Sequence, residues 1–299
     1  MRKSRIHPAW IIAAITFATL FATAGFRSAP SVLILPLEDD FGWSRDVISL
    51  AVAINVLLYG LTAPFAAALM ERFTVRKVVM AALTTVGTGA LLTIFMTKSW
   101  HLMLLWGVIV GVGTGSMALV FAATIANRWF IKKRGLVIGI LTAAAASGQL
   151  VFLPGLSKLA ENPGWRASSL VIAFGAYLMV PIIYFFLKED PQSFNLKPYG
   201  AEENWVPPQL QKGNAARNAI NALRDASKVK NFWYLVGSFF VCGLSTSGLI
   251  GTHFIPAAHD HGMMQVTAAS LLALIGVFDV IGTIFSGILT DRIDPRKLL

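Results

Sequence analysis

Few side chains in this sequence could do chemistry, and most of them interrupt long apolar runs. Arg27 stands in GFRSAPSVLILP. A guanidinium stays charged and grips a carboxylate through two parallel hydrogen bonds. Placing such a charge inside an apolar helix costs on the order of 3 kcal/mol, which marks Arg27 as a candidate anion-binding residue. Snorkelling to a headgroup layer, or pairing with Glu38 or Asp39, would account for it equally simply. Asp279 lies thirteen residues into the run that starts at Val266. A carboxyl there can hold or release a proton in answer to a bound anion, or it can form a static pair with Arg27. His253, in THFIP, could bind an anion, relay a proton or simply pack. Tyr59 and Gln149 could line the same cavity. Asn55 reads better as a hydrogen bond between helices. His259, Asp260 and His261 fall short of a metal set and read as a solvated loop.

The chain that must position these residues is 56% hydrophobic and 13% charged over 299 residues. Soluble domains carry about 25% charge. The natural solvent is therefore lipid. The net charge of +10 is spread between apolar runs instead of being gathered in one domain, which points to membrane topology and away from nucleic acid. One cysteine, Cys242, excludes a disulfide framework. Walker, nucleophile-elbow and HExxH motifs are absent, so ATP-driven pumping and hydrolysis find no support and no cofactor or metal is expected.

A bilayer-spanning helix needs about 20 apolar residues. Segmentation on that length predicts spans over 10–35, 47–70, 78–97, 101–126, 135–157, 168–187, 232–257 and 266–290. Without period-2 alternation they read as helices, giving an all-α membrane protein. Twenty Lys and Arg fall in the terminal segments and the connections after spans 2, 4 and 6, against four in the others. The first set is predicted to be cytoplasmic, with both termini inside. Residues 188–231 are polar and Pro-containing and read as a cytoplasmic linker, in which 215–229 could form a surface helix. Gly107, Gly111 and Gly115 make a small-residue face for close helix packing.

The chain also matches itself. Sliding it until Gly42 meets Gly262 lays span 2 on span 8. In that register Glu71 meets Asp291, Arg72 meets Arg292, Arg76 meets Arg296 and Lys77 meets Lys297. A carboxylate at such a helix end can accept hydrogen bonds from the N-terminus of the next helix, where the helix dipole favours negative charge. These residues are expected to form a gating latch comprising Glu71, Arg72, Arg76, Asp291, Arg292 and Arg296.

The duplicated pattern resembles the signature Gly-x-Leu-x-Asp-Arg-x-Gly-x-Arg-Lys of the major facilitator superfamily. The second copy keeps Gly287, Leu289, Asp291, Arg292, Arg296 and Lys297, with Asp294 at the second Gly. The first carries Ala67, Glu71 and Thr74 at three of its places. Within that superfamily GFRSAPSVLILPLEDDFGWSR (25–45), ANRWFIKKRGLVIGILTAAAASGQLVFLP (126–154) and GLIGTHFIPAAHDHG (248–262) resemble bacterial monocarboxylate and oxalate/formate-type carriers.

The resemblance implies a six-helix bundle over 1–187, the linker 188–231, and the first two helices of a second bundle over 232–299. On that scheme the chain looks truncated after its eighth span. It further implies secondary transport of a small organic anion, a monocarboxylate, by proton symport or anion exchange. Arg27, His253, Tyr59 and Gln149 would bind substrate and Asp279 would couple protons. The implied partners are that anion, H⁺ and membrane lipids, in a bacterial inner membrane. Related carriers commonly have a basic residue one turn after the acid, where this chain has Thr283. The alternatives are export of amphipathic drugs, or an inactive fragment or membrane sensor.

Overall fold

The computed structural model describes residues 7–203, 205 and 215–294. Arg296 of the expected latch lies outside the described residues. Six long helices come first: α1 (Pro8–Phe41), α2 (Arg45–Phe73), α3 (Val75–Thr93), α4 (Ser99–Trp129), α5 (Arg134–Leu159) and α6 (Trp165–Phe186). A short linker helix, α7 (Ala215–Ala226), precedes α8 (Lys230–Asp260) and α9 (Gln265–Thr290). No β-strand occurs among the described residues, only one isolated bridge between Phe130 and Tyr199.

Seven continuous helical runs among the described residues are long and apolar enough to cross a membrane, and one of them, Arg134–Phe186, has 53 residues. At 1.5 Å per residue that run would be about 80 Å long, far more than a hydrocarbon core of about 30 Å. It turns back inside AENPG, where Asn162 leaves helical geometry (φ −157°, ψ 114°) and Gly164 sits at φ 127°. The run is therefore two crossings, α5 and α6, and the described chain makes eight.

Local chemistry explains the ends. His7 accepts the Ala9 N–H through Nδ1 and Pro8 occupies the first turn, where its missing N–H costs nothing. Gly42 ends α1 at φ 65° and returns its N–H to the Glu38 carbonyl at 2.8 Å. Gly262 has the same left-handed conformation, φ 85°, between α8 and α9. Many hydroxyls inside the helices donate to carbonyls a turn back, such as Thr16 to Ile12 and Thr114 to Val110, whereas those of Ser157 and Ser169 are buried without a partner.

Packing relies on small residues, as expected where lipid offers no hydrophobic drive between helices. Gly107 and Gly111 bring α4 against α2, where an added Cβ would lie 3.1 Å from the Ala51 carbonyl and 3.0 Å from the Asn55 backbone. Gly148 brings α5 against Phe21 and Ala24 of α1. On its other side α5 meets α9, with Gly139 against the Thr283 carbonyl and Gly276 against that of Ala146. Helix α5 thus lies between α1 and α9. The outward surface is greasy: Phe174 is 68% exposed, Phe239 72% and Phe278 72%, a surface suited to lipid and not to water.

The helix ends define two faces. One carries Arg72, Arg76, Lys132, Lys133, Arg134 and Lys188, and is called the basic face below. The far face carries Gly42, Lys98, Gly164 and Gly262.

Candidate substrate site and helix ties

Arg27 projects from α1 between buried Phe26 and Ser28, with its own side chain exposed. Its Nη1 donates to the Tyr59 hydroxyl of α2 at 3.2 Å, and its guanidinium carbon lies 5.0 Å from the centre of the Tyr59 ring. The pairing with Glu38 that the sequence allowed does not occur. Arg45 takes both Glu38 oxygens, at 2.9 and 3.0 Å. Arg27 has no carboxylate partner among the described residues. Most of its five donors remain available to an anion.

Helix α5 crosses α1 one turn before Arg27, where Gly148 meets Ala24 and the Phe152 ring packs on Gly25. Gln149 follows Gly148, half-buried and without a hydrogen bond among the described residues. His253 is half-buried on α8, likewise without a hydrogen-bonded partner there, beside buried Ile255. Asp279 is exposed on α9 and forms no ion pair among the described residues, with Arg27 or any other cation. Thr283, one turn on, donates to the Asp279 backbone carbonyl at 2.7 Å.

The backbone keeps the repeat register. Helix α2 begins at Arg45 and α9 at Gln265, its counterpart in the repeat, and each start lies three residues after a left-handed glycine. In this register Asp279 is the counterpart of Tyr59, the residue that Arg27 touches. The structure therefore brings Arg27 and Tyr59 into contact. It relates Asp279 to them by repeat symmetry, and gives neither His253 nor Gln149 a bond to them.

The expected latch residues divide. Asp291 accepts N–H groups of Gly135 at 2.7 Å and Leu136 at 2.8 Å, two otherwise free donors in the first turn of α5. The helix dipole adds to this bond. The helix so held is α5, in the first six spans. Glu71 forms no hydrogen bond or ion pair among the described residues. The N-terminus of the helix after it, α3, is taken by Glu189, which accepts from Val75 and Arg76, both at 2.9 Å. Arg128 stands 3.6 Å from Glu189 and 3.3 Å from Asp190. Arg72 lies over the Phe73 ring, and Arg76 over Tyr184 while donating to its carbonyl. Exposed Arg292 has no side-chain partner among the described residues.

Asn55 donates to the Trp106 carbonyl at 2.7 Å, joining α2 to α4. Sequence reasoning missed Glu189 and Arg128, although an acid directly after a span and a base directly before a connection were visible. It also read Asp260 as solvated. In the structure Asp260 receives Arg45 Nη1 and Nη2 at 2.5 and 2.8 Å. No group of three or more metal-ligating side chains comes together among the described residues.

Residues 15–299 match the family model described as Major Facilitator Superfamily. The chain is 24% identical over 291 residues to an uncharacterized MFS-type transporter, YcxA, of Bacillus subtilis, covering 97% of this chain and 67% of that protein. To human monocarboxylate transporter 7 it is 29% identical, over 97% of this chain and 64% of that one. To mouse monocarboxylate transporter 11 it is 25% identical, over 95% and 59%. The chain thus spans about three fifths to two thirds of the length of these relatives. Among solved structures, a D-xylose-proton symporter superposes with a TM-score of 0.64 at 15% identity, covering 95% of this chain and 69% of that one. A partially occluded, inward-open xylose transporter XylE from E. coli gives 0.62 at 13% identity, over 96% and 74%. At these identities the likeness is one of fold.

Proposed function

This chain belongs to the Major Facilitator Superfamily, and from that premise we propose that it serves secondary active transport of a small organic anion, a monocarboxylate, by proton symport or anion exchange. The observation that carries the reading is Arg27, a permanent cation inside an apolar span, held against Tyr59 and without a carboxylate among the described residues. An unneutralised guanidinium there is costly unless it recovers an anion, and a substrate carboxylate can accept two of its hydrogen bonds. The named monocarboxylate transporters among the relatives support the same class of substrate.

The first bundle runs to residue 187, the linker covers 188–231, and the second bundle begins at 232. The basic face is cytoplasmic, with both termini there, in a bacterial inner membrane. The substrate anion enters the space between the bundles and binds Arg27, with Tyr59 fixing the guanidinium plane. His253 and Gln149 contribute polar contacts from α8 and α5. Asp279 takes up and gives back the proton that accompanies the anion. Rocking of the two bundles then exposes the site to each side in turn, the physical scheme of midplane carriers built from repeats. Asp291 opposes opening at the cytoplasmic side by holding α5.

The test is uptake of labelled small carboxylates by proteoliposomes containing the protein. Arg27→Ala is expected to lower uptake by about 100-fold or more, the loss of a bidentate charge-assisted contact, with insertion unchanged. Unchanged uptake removes Arg27 from the site. A second reading rests on an apolar cleft of about 290 Å³ between α1 and α5, bordered by Trp10, Phe17, Ile140 and Leu141. Such a lining suits export of amphipathic compounds. Competition in the same assay by lipophilic cations, and not by carboxylates, would favour that reading.

A further inference from the structure

The two bundles are tied at the far face as well as at the basic one. Arg45, the first residue of α2, reaches Asp260 at the end of α8 with two donors, at 2.5 and 2.8 Å. Its Nε is shared between both oxygens of Glu38. Gln265, the first residue of α9, donates from Nε2 to the Val32 carbonyl of α1 at 2.7 Å. Arg45 and Gln265 are equivalent positions of the internal repeat. Each therefore starts the second span of its own bundle and reaches across to the first span of the other. The reciprocity is not a general property of these helix ends. Asp40, the counterpart of Asp260, stays within its own bundle, accepting from Trp165 Nε1 and Arg166 Nη1, both at 2.9 Å.

We propose that Arg45 and Gln265 are a repeat-related pair of gate residues that close the far face, and that release of Arg45 from Asp260 opens the protein to that side. The two ties differ in a way that suits a gate. The side chains of Arg45 and Asp260 are 37% and 48% exposed, so on separation both charges are taken up by water, and Glu38 stays behind as the counter-ion of Arg45. That tie is cheap to break and to remake. Gln265 is 6% exposed, and its amide can leave Val32 only when water follows it into the seam. The ion pair is the outer catch and the amide the seal beneath it. Positions 260 and 265 have no role in binding the anion. The inference rests on the alternating-access reading but not on the identity of the substrate.

The experiment measures distance between the bundles at the far face, without substrate. In a Cys242→Ser background, spin labels at Lys98→Cys and Ala257→Cys, both exposed, report across the seam in lipid nanodiscs. The parent protein is expected to give a dominant short distance. Asp260→Asn removes the ionic catch and leaves the Arg45–Glu38 pair, and the long-distance population is expected to rise about tenfold, within the range of ordinary coupling between two states. Gln265→Leu should act in the same direction, the double variant should become mainly separated, and Asp260→Glu should stay closed. Distances unchanged in both Asp260→Asn and Gln265→Leu would overturn the proposal, as would separation in Asp260→Glu equal to that in Asp260→Asn. Transport need not occur for either result, so failure of this inference is distinguishable from failure of the substrate reading.

Discussion

Helices α2 and α9 start at equivalent residues, follow equivalent left-handed glycines and end in equivalent acid–arginine pairs, yet they meet different surroundings. Helix α9 lies against α5 through Gly276, Thr283 and Gly287, and its Asp291 holds the first turn of α5. Helix α2 turns glycines of α4 toward itself, meets the linker helix α7, and leaves Glu71 unbonded among the described residues. A repeat thus preserves backbone path and the placement of charge, while each copy acquires contacts from whatever helix crosses it. The difference also lies in the sequence of the copies. Gly287 is matched by Ala67, so α2 already carries the Cβ that α9 has no room for.

Exchanging residues between the copies turns this contrast into measurements. The largest effect is expected from Gly287→Ala, which installs the α2 residue in α9. A Cβ there would lie 2.5 Å from the Gly135 carbonyl and 3.0 Å from the Gly139 Cα, so the helices must part. Overpacking of this kind costs about 1–3 kcal/mol, read as a fall in the thermal unfolding midpoint in detergent; a midpoint equal to that of the parent would mean that the α5–α9 crossing is looser than described. A smaller effect is expected from Asp291→Ala. It removes an exposed helix-capping carboxylate, worth about 0.5–2 kcal/mol. Labels on the basic ends of α5 and α9 should then separate in a larger fraction of molecules, up to roughly thirtyfold, and no change would break the assignment of Asp291 as a tie.

The eight crossings were legible because apolar run length alone separates them. The tight return between α5 and α6 falls in the gap left between the spans predicted over 135–157 and 168–187. The α2–α9 register was legible too, since a left-handed glycine and an acid–arginine pair leave marks at fixed spacing. Contacts between distant residues were not. Arg27 and Tyr59 were each conspicuous as polar residues in lipid, but nothing in their spacing along the chain states that they touch. Glu189 resembles any acid at a helix end until the fold brings it under α3. Asp260 sits in HDHG, which locally reads as a solvated loop; its partner Arg45 opens α2, far earlier in the chain. Local pattern reports burial and direction, whereas partner identity depends on which helices cross.

Glu71 supplies the smallest expected effect and the sharpest form of the comparison. If the sequence signature were itself the latch, neutralising either acid would weaken the protein to a similar degree. If a latch requires a helix N-terminus within reach, only the second acid should matter in the structure described. Glu71→Gln keeps the size of the side chain and removes its charge, and nothing among the described residues hydrogen-bonds to that charge. The basic residues near it are engaged elsewhere: Arg76 donates to Tyr184, and Arg72 lies over Phe73. Surface changes of this kind stay within about 0.5 kcal/mol. The unfolding midpoint and the α5–α9 distance should both match the parent in Glu71→Gln, while Asp291→Ala shifts the distance. A midpoint loss in Glu71→Gln as large as in Asp291→Ala would mean that Glu71 meets a donor of its own, and the two copies would then be functional equals.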